Sequence, residues 1–152
     1  TKRERIDMYK NLLIATDGSE LADKGVTHGL ALAKAIAAKV TVVTVSDPWT
    51  AFVTGEVGAS FPIDEYEKAC EVNASAILAA VAKRAEAAGV PCEKRYVKHE
   101  FPAEGIIETA KKDGSDLIVM ASHGRSGVQR LLLGSQANKV VTQSTAPVLI
   151  CR

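Results

Sequence analysis

Apolar positions along the chain fall into short unbroken runs separated by longer stretches at helical spacing. "NLLIAT" (Asn11 to Thr16) and "VTVVTV" (Val40 to Val45) are runs of the first kind and predict strands, the second rich in β-branched residues. Between them Ala22, Val26, Leu30, Ala33 and Ala37 recur at steps of four, four, three and four, which makes one face of a helix. Ser19 is placed to cap that helix, which is expected to run to about Ala38. From Asp64 to Ala88 the positions Tyr66, Cys70, Ala74, Ile77, Val81, Ala85 and Ala88 repeat at helical spacing, and Gly89 suits a left-handed residue ending the helix.

The second half continues the alternation. "VPCEKRYVKH" reads as a strand whose lysines and arginine suit the edge of a sheet. Pro102 opens a helix over "AEGIIETAKKDG" that stops near Gly114. "DLIVMAS" predicts a fourth strand, "SQANKVVTQS" a fourth helix and "PVLIC" a fifth strand. Strand and helix alternate throughout, with nearly continuous apolar runs in strands one, two, four and five. This pattern predicts a single α/β domain: an open five-stranded parallel sheet with helices on both faces, Rossmann-like in architecture. In such sheets ligands sit beyond the carboxyl ends of the strands, where the winding direction reverses. The loops after strands one and four, "TDGSE" and "ASHGRSG", are the candidates and are the richest in glycine and small polar residues.

Two stretches do not fit a regular period. "SDPWTAFVTGEVGASFPID", from Ser46 to Asp64, is a long loop holding the single tryptophan, Trp49, with Phe52 and Phe61. Its apolar side chains either pack on the body or form a lid or partner contact. Thr1 to Asp7 precede "MYKNLLIATDGS" and read as an extension or expression remnant, so the domain is taken as residues 8–152.

Composition narrows the function. The 152 residues are 47% hydrophobic and 24% charged, ordinary for a globular domain. A formal net charge of +1 gives no bulk reason to bind nucleic acid or an anionic membrane, and 5% aromatic residues make an RNA-stacking surface a poor fit. No apolar run approaches the ~20 residues needed to span a bilayer. Cys70, Cys92 and Cys151 lie far apart without zinc-like or Cys-x-x-Cys spacing, as expected of structural thiols in a reducing cytoplasm.

The chemistry concentrates in "ASHGRSGVQRLLLGS", Ala121 to Ser135. Glycines permit close approach of backbone to a phosphate, and the first amides of a helix lack internal acceptors. Gly134 and Ser135 are therefore placed to present N–H groups and a hydroxyl to an oxyanion, with Arg125 adding charge. A compact strand-to-helix turn explains the same glycines. The Gly-Lys-Ser/Thr ending of a Walker loop and the Gly-x-Gly-x-x-Gly dinucleotide fingerprint are both missing. His123 has no Ser/His/Asp arrangement around it and reads as a loop histidine held by backbone hydrogen bonds. Asp17 in "TDGS" suits a turn or cap. Gly25 and Gly29 read as allowing the first helix to sit close on the sheet, a dimer groove being the alternative.

From Met8 to Arg152 the chain resembles the universal stress protein family, through "MYKNLLIATDGSE", "TVVTVSD", "DLIVMASHGRSG", "LLLGSQANKV" and "APVLICR". In the nucleotide-binding branch the phosphate loop reads Gly, two residues, Gly, nine residues, Gly, then Ser or Thr. Gly124, Gly134 and Ser135 match the later positions; Ala121 stands where the first glycine belongs. A methyl there is expected to crowd the ribose or phosphate, or to hold φ below zero.

The resemblance implies an adenine nucleotide alpha hydrolase-like fold and a nucleotide site. Asp17, with Ala15 nearby, would face the adenine; Val45 would line the base; Met120 and Ala121 would lie by the ribose. Gly124, Gly134, Ser135 and Gln136 would receive phosphates, beside Arg125. The implied ligand is ATP or AMP, with Mg2+ arriving only through the nucleotide. A homodimer through the last strand and an unidentified protein partner are also implied, with no metal site and no catalytic residue. Three functional classes follow: a nucleotide-binding stress sensor or switch, a dimeric stress protein whose site Ala121 has closed, and an ATP hydrolase. The third lacks a carboxylate cluster beside the loop to support phosphoryl transfer.

Overall fold

The computed structural model describes residues 8–47, 62–124 and 132–152. The Trp49 loop, the extension before Met8, Arg125, Ser126 and Gly127 lie outside them. Five strands, β1 (Asn11–Ala15), β2 (Lys39–Ser46), β3 (Cys92–Lys98), β4 (Leu117–Ala121) and β5 (Val148–Cys151), alternate with α1 (Asp23–Ile36), α2 (Ile63–Ala87), α3 (Pro102–Lys112) and α4 (Ser135–Gln143). All neighbouring strands pair in parallel, in the order β3-β2-β1-β4-β5. The winding reverses between β1 and β4, as the strand and helix alternation predicts.

Parallel strands buried on both faces need apolar residues at every position, and β1 shows why its run is continuous. Leu12 and Ile14 pack with Val26, Leu30 and Ala33 of α1 and Leu78, Val81 and Ala85 of α2. Leu13 and Ala15 point the other way, into a cluster with Ala103, Ile106 and Ala110 of α3 and Ala137 and Val140 of α4. β4 splits likewise: Leu117 and Val119 face α1, Ile118 and Met120 face α3 and α4. At the amino edge of the sheet the Asp116 carboxylate accepts the backbone N–H groups of Lys10 (2.8 Å) and Asn11 (3.1 Å), locking the starts of β1 and β4 together.

α1 lies against β4 because two of its residues have no side chain. A Cβ at Gly25 would stand 2.8 Å from the Ala121 nitrogen and 3.0 Å from the Met120 carbonyl carbon; one at Gly29 would meet the Ile14 side chain at 2.6 Å. Close packing is thus the role these glycines fill. The helix itself begins later than expected, at Asp23. Ser19 does cap, its Oγ accepting the Ala22 N–H at 3.1 Å, but the residues it organises form a turn leading into the helix. Gly89 takes φ +71° after α2, the left-handed stop its position suggested.

β3 is an edge strand, as its charges indicated. Arg95 pairs with Glu93 at 2.7 Å and with Asp113 at 3.1 Å. β5 is the other edge, apolar and short. The three cysteines are unpaired, and burial pushes the thiols of Cys92 and Cys151 upward in pKa, which makes them poor nucleophiles. Among the described residues no helix is long and apolar enough to cross a membrane.

Candidate functional site

A parallel sheet brings the carboxyl ends of all its strands to one border, and here that border opens into a cleft of about 660 Å³. Ala15, Asp17, Val45, Met120, Ala121, Gly124, Gly134, Ser135 and Gln136 all line it. Every described residue that the resemblance implied for a nucleotide therefore lies around one space.

The cleft floor begins at the end of β1. Thr16 Oγ1 accepts the Gly18 N–H (3.1 Å) and Asp17 Oδ1 accepts the Ser19 N–H (2.9 Å), so two side chains hold the tight turn in which Gly18 takes φ +78°. The turn-forming and cleft-facing readings of Asp17 hold together: one oxygen closes the turn while the residue lines the cleft. Gly124 lies directly beside it, since a Cβ there would fall 2.6 Å from Asp17 Oδ2.

On the far side, α4 begins at the cleft. Its first helical bond runs from the Asn138 N–H to Gly134 O (2.9 Å), which leaves the amides of Ser135, Gln136 and Ala137 ahead of the hydrogen-bond ladder. Gly134 supplies no side-chain cap. Its own N–H is committed, donating to Ser122 O at 2.7 Å, and a Cβ on it would come 2.9 Å from that same oxygen. The bond fixes the start of α4 against the end of β4.

Ala121 is the last residue of β4 and pairs with Cys151 in regular register. Among the described residues Ala37 is the one non-glycine with positive φ, so the backbone at Ala121 asks for no glycine. Strand alternation sends its methyl to the side of Leu117 and Val119, toward α1.

Three details differ from expectation, the first being that the Gly134 N–H, read as a donor to an oxyanion, is already committed to Ser122 O. The backbone amide of Gln136 faces the cleft as a donor, while its side-chain carbonyl accepts the Ala103 N–H at 3.1 Å and so engages α3. His123 is held by a side chain, not by the backbone: Nδ1 lies 3.0 Å from Ser122 Oγ, and Nε2 is buried without a partner among the described residues. The loop after β3 also reaches the cleft, through Glu100, Phe101 and Pro102. Phe101 is 47% exposed there, its N–H donating to His99 Nδ1 at 2.9 Å. Lys139 lines the cleft as well. Its spacing of four from Ser135 places both on one helical face, a signal available in the sequence. Thr16, Ala22, Val43, Asp47, Ile106, Ser122 and Ala137 complete the wall.

A second recess of about 250 Å³ adjoins the cleft on the α2 side, sharing Asp17, Val45 and Asp47 and adding Tyr66, Cys70, Asn73 and Tyr96 among others. Ser46 Oγ and the Tyr96 hydroxyl are 2.7 Å apart. Burial, reinforced by a hydrogen bond with Cys70 and the charge of Asp47, pushes the Tyr66 phenol from 10.0 up to about 12. A phenol harder to ionise in the folded chain stabilises the fold below its ordinary pKa, and that contribution is lost as pH rises from 10 toward 12. Urea titrations across this window are expected to show stability falling in the native protein and falling less in Tyr66→Phe; an identical slope would remove Tyr66 as the cause.

A cleft over the winding reversal, with helix amides ahead of the hydrogen-bond ladder at one end, places the chain among the open α/β proteins with a cleft at the switch point. The chain belongs to the universal stress protein family, whose model matches residues 8–152. It is 33% identical over 149 residues to universal stress protein YxiE of Bacillus subtilis, covering 95% of this chain and all of that one. The solved structure of MJ0577 from Methanocaldococcus jannaschii superposes with a TM-score of 0.79 at 28% identity, covering 95% of this chain and 96% of that one. A universal stress protein solved in complex with cAMP matches with a TM-score of 0.70 at 27% identity, covering 95% and 98%.

Proposed function

We propose that this protein binds an adenine nucleotide, ATP or AMP, in the cleft between β1 and β4, and acts as a stress-response sensor or switch. The observation that carries this reading is the arrangement of opposite chemistries across one space: an acceptor carboxylate at Asp17 and unpaired amides at the start of α4. A carboxylate accepts from an exocyclic amine, and helix amides with a positive dipole end accept an anion. In this reading the base lies between Asp17 and Val45, and the ribose passes Met120 and Ala121. Gly124, Ser135 and the amide of Gln136 then receive phosphate, with Gly134 holding α4 in place. Lys139 stands on the phosphate side as a countercharge, and Arg125 is proposed to add a second. The strand geometry of Ala121, with its methyl directed toward α1, supports a site that tolerates this residue. The relative solved with cAMP supports the ligand class. Any Mg2+ would arrive with the nucleotide.

The proposed output runs through a cytoplasmic homodimer. β5 has β4 on one side and an open border on the other, and Leu149 is 39% exposed. Pairing of two β5 strands covers that border in both copies. An unidentified protein partner would then read the occupied dimer.

Equilibrium dialysis with labelled ATP and AMP tests the ligand. Saturable binding is expected for at least one of them, and its absence at millimolar nucleotide would leave a dimeric stress protein with an unused cleft. Sedimentation at micromolar protein tests the assembly; a monomer there would remove the β5 pairing.

A further inference from the structure

α3 starts without a cap of its own. Phe101 occupies the capping position with no side-chain hydrogen bond, and Pro102, the first helical residue, has no N–H to satisfy. The first orphan donor is therefore the Ala103 amide, and the group that accepts it comes from another helix, thirty-three residues away: Gln136 Oε1, at 3.1 Å. Ala103 is fully buried, so water cannot easily replace the bond if it is lost. Gln136 occupies the first turn of α4, and its backbone amide lies among those facing the cleft.

From this we infer that Gln136 is a positioning residue that caps α3 from α4 and holds the two walls of the cleft at one spacing. One wall carries Phe101 and Pro102 and the other carries Gly134 and Ser135, and both line the same space. Each helix begins at the cleft, and the side-chain carbonyl joins the two beginnings. The bond uses only the carbonyl end of the side chain, as acceptor, a role distinct from that of the backbone amide at the cleft. Its function is preorganisation: the walls are set before a ligand arrives, so binding does not bear the cost of ordering them. The effect on affinity rests on the nucleotide reading above; the cap itself does not.

Two variants separate the possibilities. Gln136→Met keeps the length and volume of the side chain but removes the acceptor. Gln136→Glu keeps an acceptor within reach of the Ala103 N–H. In the ligand-free protein, amide hydrogen exchange followed by NMR is expected to speed up about fivefold or more at Ala103 in Gln136→Met, the size of a lost cap. Exchange at Val119 and Val140 should stay as in the native protein, and Gln136→Glu should retain protection at Ala103. Unchanged exchange at Ala103 in Gln136→Met, or an equal rise at all three amides, would overturn the cap.

Calorimetric titration with AMP then reads the positioning. Gln136→Met is expected to bind several-fold more weakly than the native protein. Equal affinities would overturn the positioning role even with the cap confirmed. A native protein that binds no AMP or ATP would sink the nucleotide reading and the positioning role with it, while the exchange result would still decide the cap.

Discussion

Gly25→Ala is expected to lower stability by about 2 kcal/mol, although alanine is the better helix former. Propensity alone favours alanine by roughly 1 kcal/mol at an interior helical position. Against this stands a methyl built 2.8 Å from the Ala121 nitrogen and 3.0 Å from the Met120 carbonyl carbon. Both are backbone atoms of β4, which is hydrogen-bonded to β1 and β5 and cannot step aside as a side chain would. Overpacking of this kind costs about 1–3 kcal/mol, and with rigid neighbours the upper part of that range applies, so the clash exceeds the propensity gain. The melting temperature should fall by roughly 5 °C in a domain of this size. Gly29→Ala gives the internal comparison. There the obstacle is the end of the Ile14 side chain at 2.6 Å, so pairing it with Ile14→Val should recover part of the loss, whereas no side-chain substitution should rescue Gly25→Ala. A melting temperature for Gly25→Ala at or above the native value would show that α1 is free to lift from the sheet.

Gly124→Ala should act chiefly on the ligand, costing less stability than Gly25→Ala and weakening nucleotide binding roughly 10- to 100-fold. Gly124 does not have positive φ, so alanine is conformationally acceptable. Its methyl would fall 2.6 Å from Asp17 Oδ2, so the carboxylate has to turn, at the expense of the Ser19 N–H that its other oxygen accepts. The rotation removes the acceptor from the place where the proposed base would donate, and a hydrogen bond to a charged group is worth about 1.5–3 kcal/mol. Asp17→Ala should lose a similar factor, and the double variant should lose little more than either alone, because both act on the same oxygen. Fully additive losses measured by titration calorimetry would mean that Gly124 acts elsewhere.

The two glycines show how unevenly the molecule can be read from its residues. Gly25 and Gly29 fall on a helical face with Val26 and Ala22, so close approach to the sheet was legible before any coordinates. The sheet was equally plain, since only doubly covered strands carry runs such as "NLLIA" and "LIVMA", and the charges of β3 marked it as a border. Ser19 shows the limit of a local signal. An Oγ accepting an N–H three residues on is the same bond in a turn as in a helix, so the start of α1 came out three residues early.

The cleft was legible along its β1 and β4 walls because glycine and small polar residues advertise themselves there. Phe101 and Pro102 carry no such mark and read simply as a helix start. Only the parallel arrangement, which sends the end of β3 to the same border as the others, brings them in. The direction of the Gln136 side chain was hidden for another reason: its partner is thirty-three positions away, and no periodicity reports a bond of that reach.

The two borders of the sheet are chemically unlike, and this limits how large any assembly can become. β3 presents Glu93, Lys94 and Arg95, with ion pairs that a docking strand would have to strip of solvent. β5 presents an apolar strand with no charge between Val148 and Cys151. A head-to-tail stack of sheets would need the charged border of one copy to accept the bare border of the next, and that mismatch blocks a fibre from elongating. If two bare borders meet as proposed, they exhaust each other and leave only self-protecting rims outside, so a crowded cell full of this protein would accumulate finite particles instead of threads.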